Sequence, residues 1–311
     1  ETLYSLNALP LGGFVRLLGE DEVDKKVFKN PRSFASKKPW QRILVVVAGV
    51  AMNLGLSWVL FYTVIISQNF RIIYPALEPA VYIAQVEKDF PAEKAGIKVG
   101  DKLVSVDGTE VKEFDQARSL IRGKEGAPVT FKIAGIEEKD IKVVSITPKK
   151  IDSGDYLIGV VFSPIPFKTY STATEKIFSG ISYSWDLTRL TFMGLGQTLN
   201  NLFQGQFQTV SQSVSGPVGL ASMTNNILSG GWEALIPYLW FVGIISLTLS
   251  IFNVLPIPAL DGGRLLFLVI EAVSRKKVRV EIERIVHQVG FAILLTLALL
   301  VTYSDIRKLL P

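Results

Sequence analysis

Two stretches of this chain carry no charged side chain over more than the length of a bilayer-spanning helix. Ile43–Phe70 runs 28 residues and Leu235–Leu260 runs 26. About 20 apolar residues in a helix cross the hydrocarbon core, and a helix satisfies its own backbone there. A third apolar run covers 289–304. Basic residues sort around these runs. Lys25, Lys26, Lys29, Arg32, Lys37, Lys38 and Arg42 precede the first, and Arg264, Arg275, Lys276, Lys277, Arg279 and Arg284 follow the second. Such clusters gather on the cytoplasmic side. The first run therefore leaves the cytoplasm, the second returns and the third leaves again. Trp40, Trp58 and Tyr62 are available as interfacial anchors.

The partner this implies is the lipid bilayer. The net charge of +5 is modest and its basic residues lie beside apolar segments, which argues against nucleic acid. With no cysteine, neither a disulfide framework nor a thiolate metal site is possible.

Between the first two runs the composition changes. Residues 78–150 regain charge and break into short strands. Pro91-Ala-Glu-Lys-Ala95-Gly96-Ile97 leads to Gly100-Asp101-Lys-Leu103 and then Asp107-Gly108. This pattern resembles the core of a PDZ domain of the kind found in bacterial proteases. The resemblance implies an extended peptide or C-terminus bound along a sheet edge. That edge is expected at Tyr82–Val86, with Val81, Tyr82, Ile83 and Ala84 as contacts; a domain serving only as a steric filter is the alternative. Charge parity makes the domain extracytoplasmic.

Five further segments complete the walk. Residues 1–20 read as strand, turn and strand around Pro10 and Gly12-Gly13, and 21–42 as a basic cytoplasmic loop. In 173–203, Ile177, Ile181, Trp185, Phe192, Leu195, Leu199 and Leu202 recur at helical steps, but Glu175, Lys176, Asp186 and Arg189 make a poor span. An amphipathic helix on the membrane surface or on the PDZ domain is expected. The Gly, Ser, Gln and Asn of 204–234 predict a loop, and 262–288 a basic cytoplasmic loop.

The second run ends in Asn253-Val-Leu-Pro256-Ile-Pro258-Ala-Leu-Asp261-Gly262-Gly263. Two prolines interrupt the helix just before a carboxylate. Broken backbone at membrane depth persists only against protein or a wet cavity, and a carboxylate there is a candidate metal or proton site. In isolation, Asp before Gly-Gly also serves as a helix-end turn.

Taken in order, these pieces resemble the site-2 protease family of intramembrane zinc metalloproteases, of the bacterial regulator of sigma-E protease type. Residues 4–20 look like its membrane-associated β-hairpin. Gly49-Val-Ala-Met-Asn53 matches G-x-x-x-N, Ser215-Gly216-Pro217-Val218-Gly219 a family loop, and Asn253 to Gly262 the motif N-x-x-P-x-P-x-L-D-G. The expected fold is an α-helical polytopic membrane protein with an inserted PDZ domain (α+β) and an N-terminal β-hairpin.

The resemblance implies that Asp261 is a zinc ligand. Asn53 and Asn253 would hold substrate backbone or the reaction oxyanion, while Gly49, Pro256, Pro258 and Gly262 shape the site. Gly49 with Asn53 also suits ordinary helix packing. Hairpin residues Leu3, Tyr4, Ser5, Leu6, Gly12 and Gly13 would add a strand to an unwound transmembrane substrate. Substrates would be single-pass membrane proteins, such as anti-sigma factors or signal-peptide remnants, and the location the bacterial inner membrane.

The family's H-E-x-x-H, with two zinc-binding His and a general-base Glu, does not occur in these residues. The one histidine, His287, stands in Glu283-Arg-Ile-Val-His287, the wrong spacing, and is expected as an interfacial helix residue. A catalytic zinc takes about three protein ligands. The chain is thus expected to be inactive without that helix. A catalytically inactive, membrane-anchored PDZ binding protein is the alternative function.

Overall fold

A computed structural model of the chain describes residues 17–19, 30–74, 80–122, 124, 126–135, 141–151, 156–276 and 278–309. The chain divides into two compact units. One comprises 1–54, 216–219 and 248–311, the other 55–215 and 220–247. Residues 1–16, which hold the expected hairpin contacts Leu3, Tyr4, Ser5, Leu6, Gly12 and Gly13, lie outside the described residues.

Among the described residues three helices are long and apolar enough to cross a membrane: Pro39–Ser67, Gly231–Val254 and Glu281–Lys308. The first is α1 (Pro39–Ser67). It starts four residues earlier than the uncharged run, because Pro39 suits a first helical turn, and ends at Ser67, short of Phe70. Asn69 and Phe70 take positive φ of 52° and 60° and turn the chain out of the helix.

The inserted domain follows. Strands β1 (Arg71–Ile73), β2 (Val81–Val86), β3 (Lys102–Val106), β4 (Thr109–Glu110), β5 (Val129–Ala134), β6 (Ile141–Ile146), β7 (Lys149–Lys150), β8 (Tyr156–Leu157), β9 (Val160–Ser163) and β10 (Phe167–Thr169) alternate with helices α2 (Pro91–Lys94) and α3 (Phe114–Arg122). The main sheet is antiparallel in the order β6-β5-β3-β2-β9, with β4 on β3. Alternation in β5 (Val129, Phe131 and Ile133 buried, Thr130 and Lys132 exposed) aims one face at a core shared with Val81, Ile83, Leu103, Val106, Ala117 and Ile121. The domain therefore runs past the expected limit of residue 150. Val160–Ser163 completes its sheet.

Entry and exit of the domain are tied together. β1 pairs antiparallel with β10, Arg71 opposite Thr169 and Ile73 opposite Phe167. Arg71 lies over the Phe167 ring, 4.2 Å from its centroid, and its Nη2 donates to Ala84 O at 2.5 Å. Beyond β10 come α4 (Ala173–Ile177), opened by a Thr172–Glu175 capping box, and α5 (Ser179–Phe203). The amphipathic stretch is thus two helices, and the start of α5 is buried. Gly180 sits where a Cβ would come within 2.5 Å of Trp58 O. Tyr183 is fully buried, edge-on to Phe61 at 5.1 Å, and donates to Ile73 O at 2.8 Å. Farther along, Trp185, Phe192, Leu199 and Phe203 are exposed.

Residues 204–234 correct the expectation of a loop. They form α6 (Phe207–Ser213), α7 (Pro217–Leu228) and a 3-10 turn, Gly231–Ala234. Then follow α8 (Leu235–Val254), α9 (Asp261–Ser274) and α10 (Val280–Leu309). Exposed Ile293, Leu297 and Leu300 give α10 a surface suited to lipid. At 30 residues it is about 45 Å long, and with α9 it makes most of the stretch read as basic loop helical.

Tyr183 also accepts from Trp240 Nε1 at 3.0 Å. Removing its hydroxyl breaks both of these part-buried hydrogen bonds. Tyr183→Phe is therefore expected to cost about 1–3 kcal/mol, read as a lower thermal midpoint in detergent. An unchanged midpoint would mean that this network contributes nothing.

Candidate metal centre

Prolines 256 and 258 end α8, and the chain turns sharply before Asp261 opens α9. The turn is closed by its own backbone. Ile257 N donates to Leu255 O at 2.7 Å and Leu260 N to Ile257 O at 3.2 Å. Ala259 takes φ +74°, a left-handed conformation that costs a non-glycine residue about 1–2 kcal/mol. Close packing holds this shape. A Cβ on Gly262 would lie 2.0 Å from Leu255 O, and one on Gly263 2.6 Å from Ile257 O. Gly290 of α10 faces Pro258, where a Cβ would come within 2.4 Å. Only glycine permits these three approaches.

Asp261 stands in the first turn of α9, where the helix dipole favours a negative charge. It lies beyond Val254, the last residue of its span. Burial pushes its carboxyl above the usual carboxylate range. The same low-dielectric surroundings push the Arg264 guanidinium down, an effect opposed by the charge of Glu283.

The neighbouring helices are tied side by side. Ser250 Oγ donates to Val50 O at 3.1 Å, and Arg42 pairs with Glu271 at 2.6 Å with both side chains nearly buried. Gly49 and Asn53 therefore flank a contact of α1 with α8, and Asn253 is one turn from it. Asn53, Asn253 and Asp261 are half-buried. Gly49 faces open space among the described residues, so its smallness is not used for packing there. Gly49, Asn53, Asn253, Pro256, Pro258, Asp261 and Gly262 all fall in one compact unit.

Val81, Tyr82, Ile83 and Ala84 fall in the other unit, and the expected peptide edge is corrected. β2 is an interior strand: Tyr82 lies opposite Lys102 of β3 and Ser163 of β9, and Ile83 opposite Phe162. Its backbone is occupied on both sides. Among the described residues the outer strands of the main sheet are β6 and β9.

Three residues that the sequence reading did not place in the site serve it or its unit. His287 Nδ1 accepts from Ala259 N at 3.0 Å. Gly290 lies one turn farther on α10. Asp305, buried near the other end of α10, accepts from Gly216 N and Gly219 N at 2.8 Å each. The Ser215–Gly219 motif is thus the start of α7, capped by a carboxylate from a distant helix.

Asp261 suits a hard or borderline cation: it is a half-buried carboxylate with no ion pair among the described residues. No group of three His, Cys, Asp or Glu able to hold a metal occurs among the described residues. Among the described residues Asp261 is therefore a single candidate ligand and not a complete metal site.

The glycines separate two kinds of substitution. Gly262→Ala is expected to lower stability by about 1–3 kcal/mol through forced overpacking. Gly49→Ala, in open helix, should leave it unchanged or raised by up to about 1 kcal/mol. Thermal midpoints of the two variants check this, and equal effects would contradict the packing described.

The whole of residues 1–297 matches peptidase family M50. A protein of Clostridium perfringens named as a zinc metalloprotease is 32% identical over 98% of this chain and 84% of its own length. The regulator of sigma-W protease RasP of Bacillus subtilis is 33% identical over 89% of this chain, which spans 62% of that relative. The PDZ domain of an SdrC-like protein from Listeria innocua is 25% identical over 27% of this chain and 92% of that structure, with a TM-score of 0.24. With the motif around Asp261, the match over 297 residues means that this chain belongs to peptidase family M50.

Proposed function

We propose that this chain forms the body of a membrane-embedded zinc endopeptidase that cuts single-pass membrane proteins, with Asp261 as one zinc ligand. The observation that carries the reading is the strained, glycine-packed turn that delivers a half-buried carboxylate just past the helix that bears Asn253, in the same compact unit as Asn53. The name of the Bacillus relative, a regulator of sigma-W protease, fits a substrate tied to sigma-factor control, such as an anti-sigma factor; signal-peptide remnants rest on the family resemblance alone. Zinc would supply a Lewis acid and a water acidified toward a pKa of about 7.

The chain's own groups have distinct tasks. Asp261 holds its charge at the metal. Asn53 and Asn253 donate amide hydrogens to substrate backbone or to the developing oxyanion. Pro256 and Pro258 fix the turn. Leu3, Tyr4, Ser5, Leu6, Gly12 and Gly13 offer an edge to an unwound substrate. The 311 residues alone, with one histidine and no cysteine, are expected to bind zinc poorly and to be inactive. Joined to a helix bearing H-E-x-x-H they are expected to cleave.

The inserted domain is assigned to the extracytoplasmic side of the inner membrane. Its peptide site is moved from β2 to the outer strand β9, which carries the exposed Val161. Asp305 supports this topology. His287 and Asp305 are about 27 Å apart along α10, so the turn at Gly216 and the turn at Asp261 belong to opposite ends of one spanning helix.

The test uses the full-length protein in detergent with a single-span model substrate. Asp261→Asn should lower cleavage at least about a hundredfold, and Asn53→Ala about tenfold to a hundredfold in kcat. Cleavage unchanged by both variants would overturn the assignment. A protein that never cleaves but binds peptides through the sheet would favour the membrane-anchored binding protein instead.

A further inference from the structure

His287 is the chain's only histidine, and its ring reaches the strained turn that precedes Asp261. Its Nδ1 accepts the Ala259 amide at 3.0 Å. Ala259 is the one residue of the turn with positive φ. The other amides of the turn have backbone partners: Leu255 N to Phe252 O, Ile257 N to Leu255 O and Leu260 N to Ile257 O. Pro256 and Pro258 have none to satisfy. The imidazole therefore satisfies the one amide that the turn cannot satisfy itself. Its ring also lies 6.0 Å from that of Phe267 on α9. One side chain touches both the turn and the helix that Asp261 opens. Three residues along α10, Gly290 admits Pro258 against the helix. A backbone two residues removed from the proposed ligand, fixed in an unfavourable conformation, sets where the carboxylate points.

We infer that His287 is a positioning residue for Asp261: its Nδ1 holds Ala259 in the left-handed conformation that aims the carboxylate at the metal. Its Nδ1 is engaged by the Ala259 amide and in that arrangement is not available to a metal. The catalytic part of this inference rests on the function proposed above, whereas the effect on the turn does not.

The experiment compares His287→Ala with His287→Asn in the full-length protein. The Asn side-chain oxygen can take the place of Nδ1 as an acceptor, whereas Ala offers nothing. Hydrogen exchange is followed in a peptide spanning 255–260, together with zinc affinity by chelator competition and kcat and KM on a single-span substrate. In His287→Ala, exchange at the Ala259 amide should rise at least about tenfold. Zinc affinity should fall about tenfold to a hundredfold, and kcat should fall while KM holds. His287→Asn should recover most of all three. Equal impairment of both variants, or of neither, would overturn the inference. If exchange follows the inference but no form binds zinc or cleaves, the cradle stands and the protease assignment fails.

Discussion

Backbone packed against backbone without an intervening Cβ is the constraint on which the unit that carries Asp261 depends. Gly262 and Gly263 let the start of α9 press on carbonyls of the preceding turn, and Gly290 lets that turn press on α10. The result is a rigid corner at the end of a spanning helix. Ala259 sits in it at φ +74°, a conformation that the surrounding contacts must hold. A carboxylate at such a corner has little freedom to swing, as a ligand should, because metal sites need their donors fixed in advance.

The other unit applies the same device to different ends. Gly180 brings α5 onto the backbone at Trp58, and Gly243 admits the Phe61 ring. Tyr183 then links Ile73 O, at the root of the inserted domain, with Trp240 on α8. Because β1 and β10 pair, the domain hangs from two bonded strands. Its root is therefore tied to the helices from which it emerges.

Much of this was legible in the sequence because its physics is local. Uncharged runs give spanning helices whatever else the chain does, and Pro256 and Pro258 mark where the second one breaks. Asp261 stands out because charge is costly there. What escaped reading depends on distant partners. Residues 204–234 look like loop by composition, yet α7 begins at Pro217 because Asp305, 86 and 89 residues away, caps it. β2 looks like an edge until β9, some 80 residues later, covers it. His287 has the wrong spacing for a zinc motif, and nothing in its neighbourhood announces Ala259, 28 residues earlier.

The most direct measurement of the central claim is zinc K-edge X-ray absorption on the full-length protein, unsubstituted and with Asp261→Ala. If Asp261 is a zinc ligand, the unsubstituted protein shows a carboxylate oxygen in the first coordination shell, and the substitution removes that oxygen or empties the site. A first coordination shell unaltered by the loss of Asp261 would show that the turn serves some other purpose, and would contradict the account.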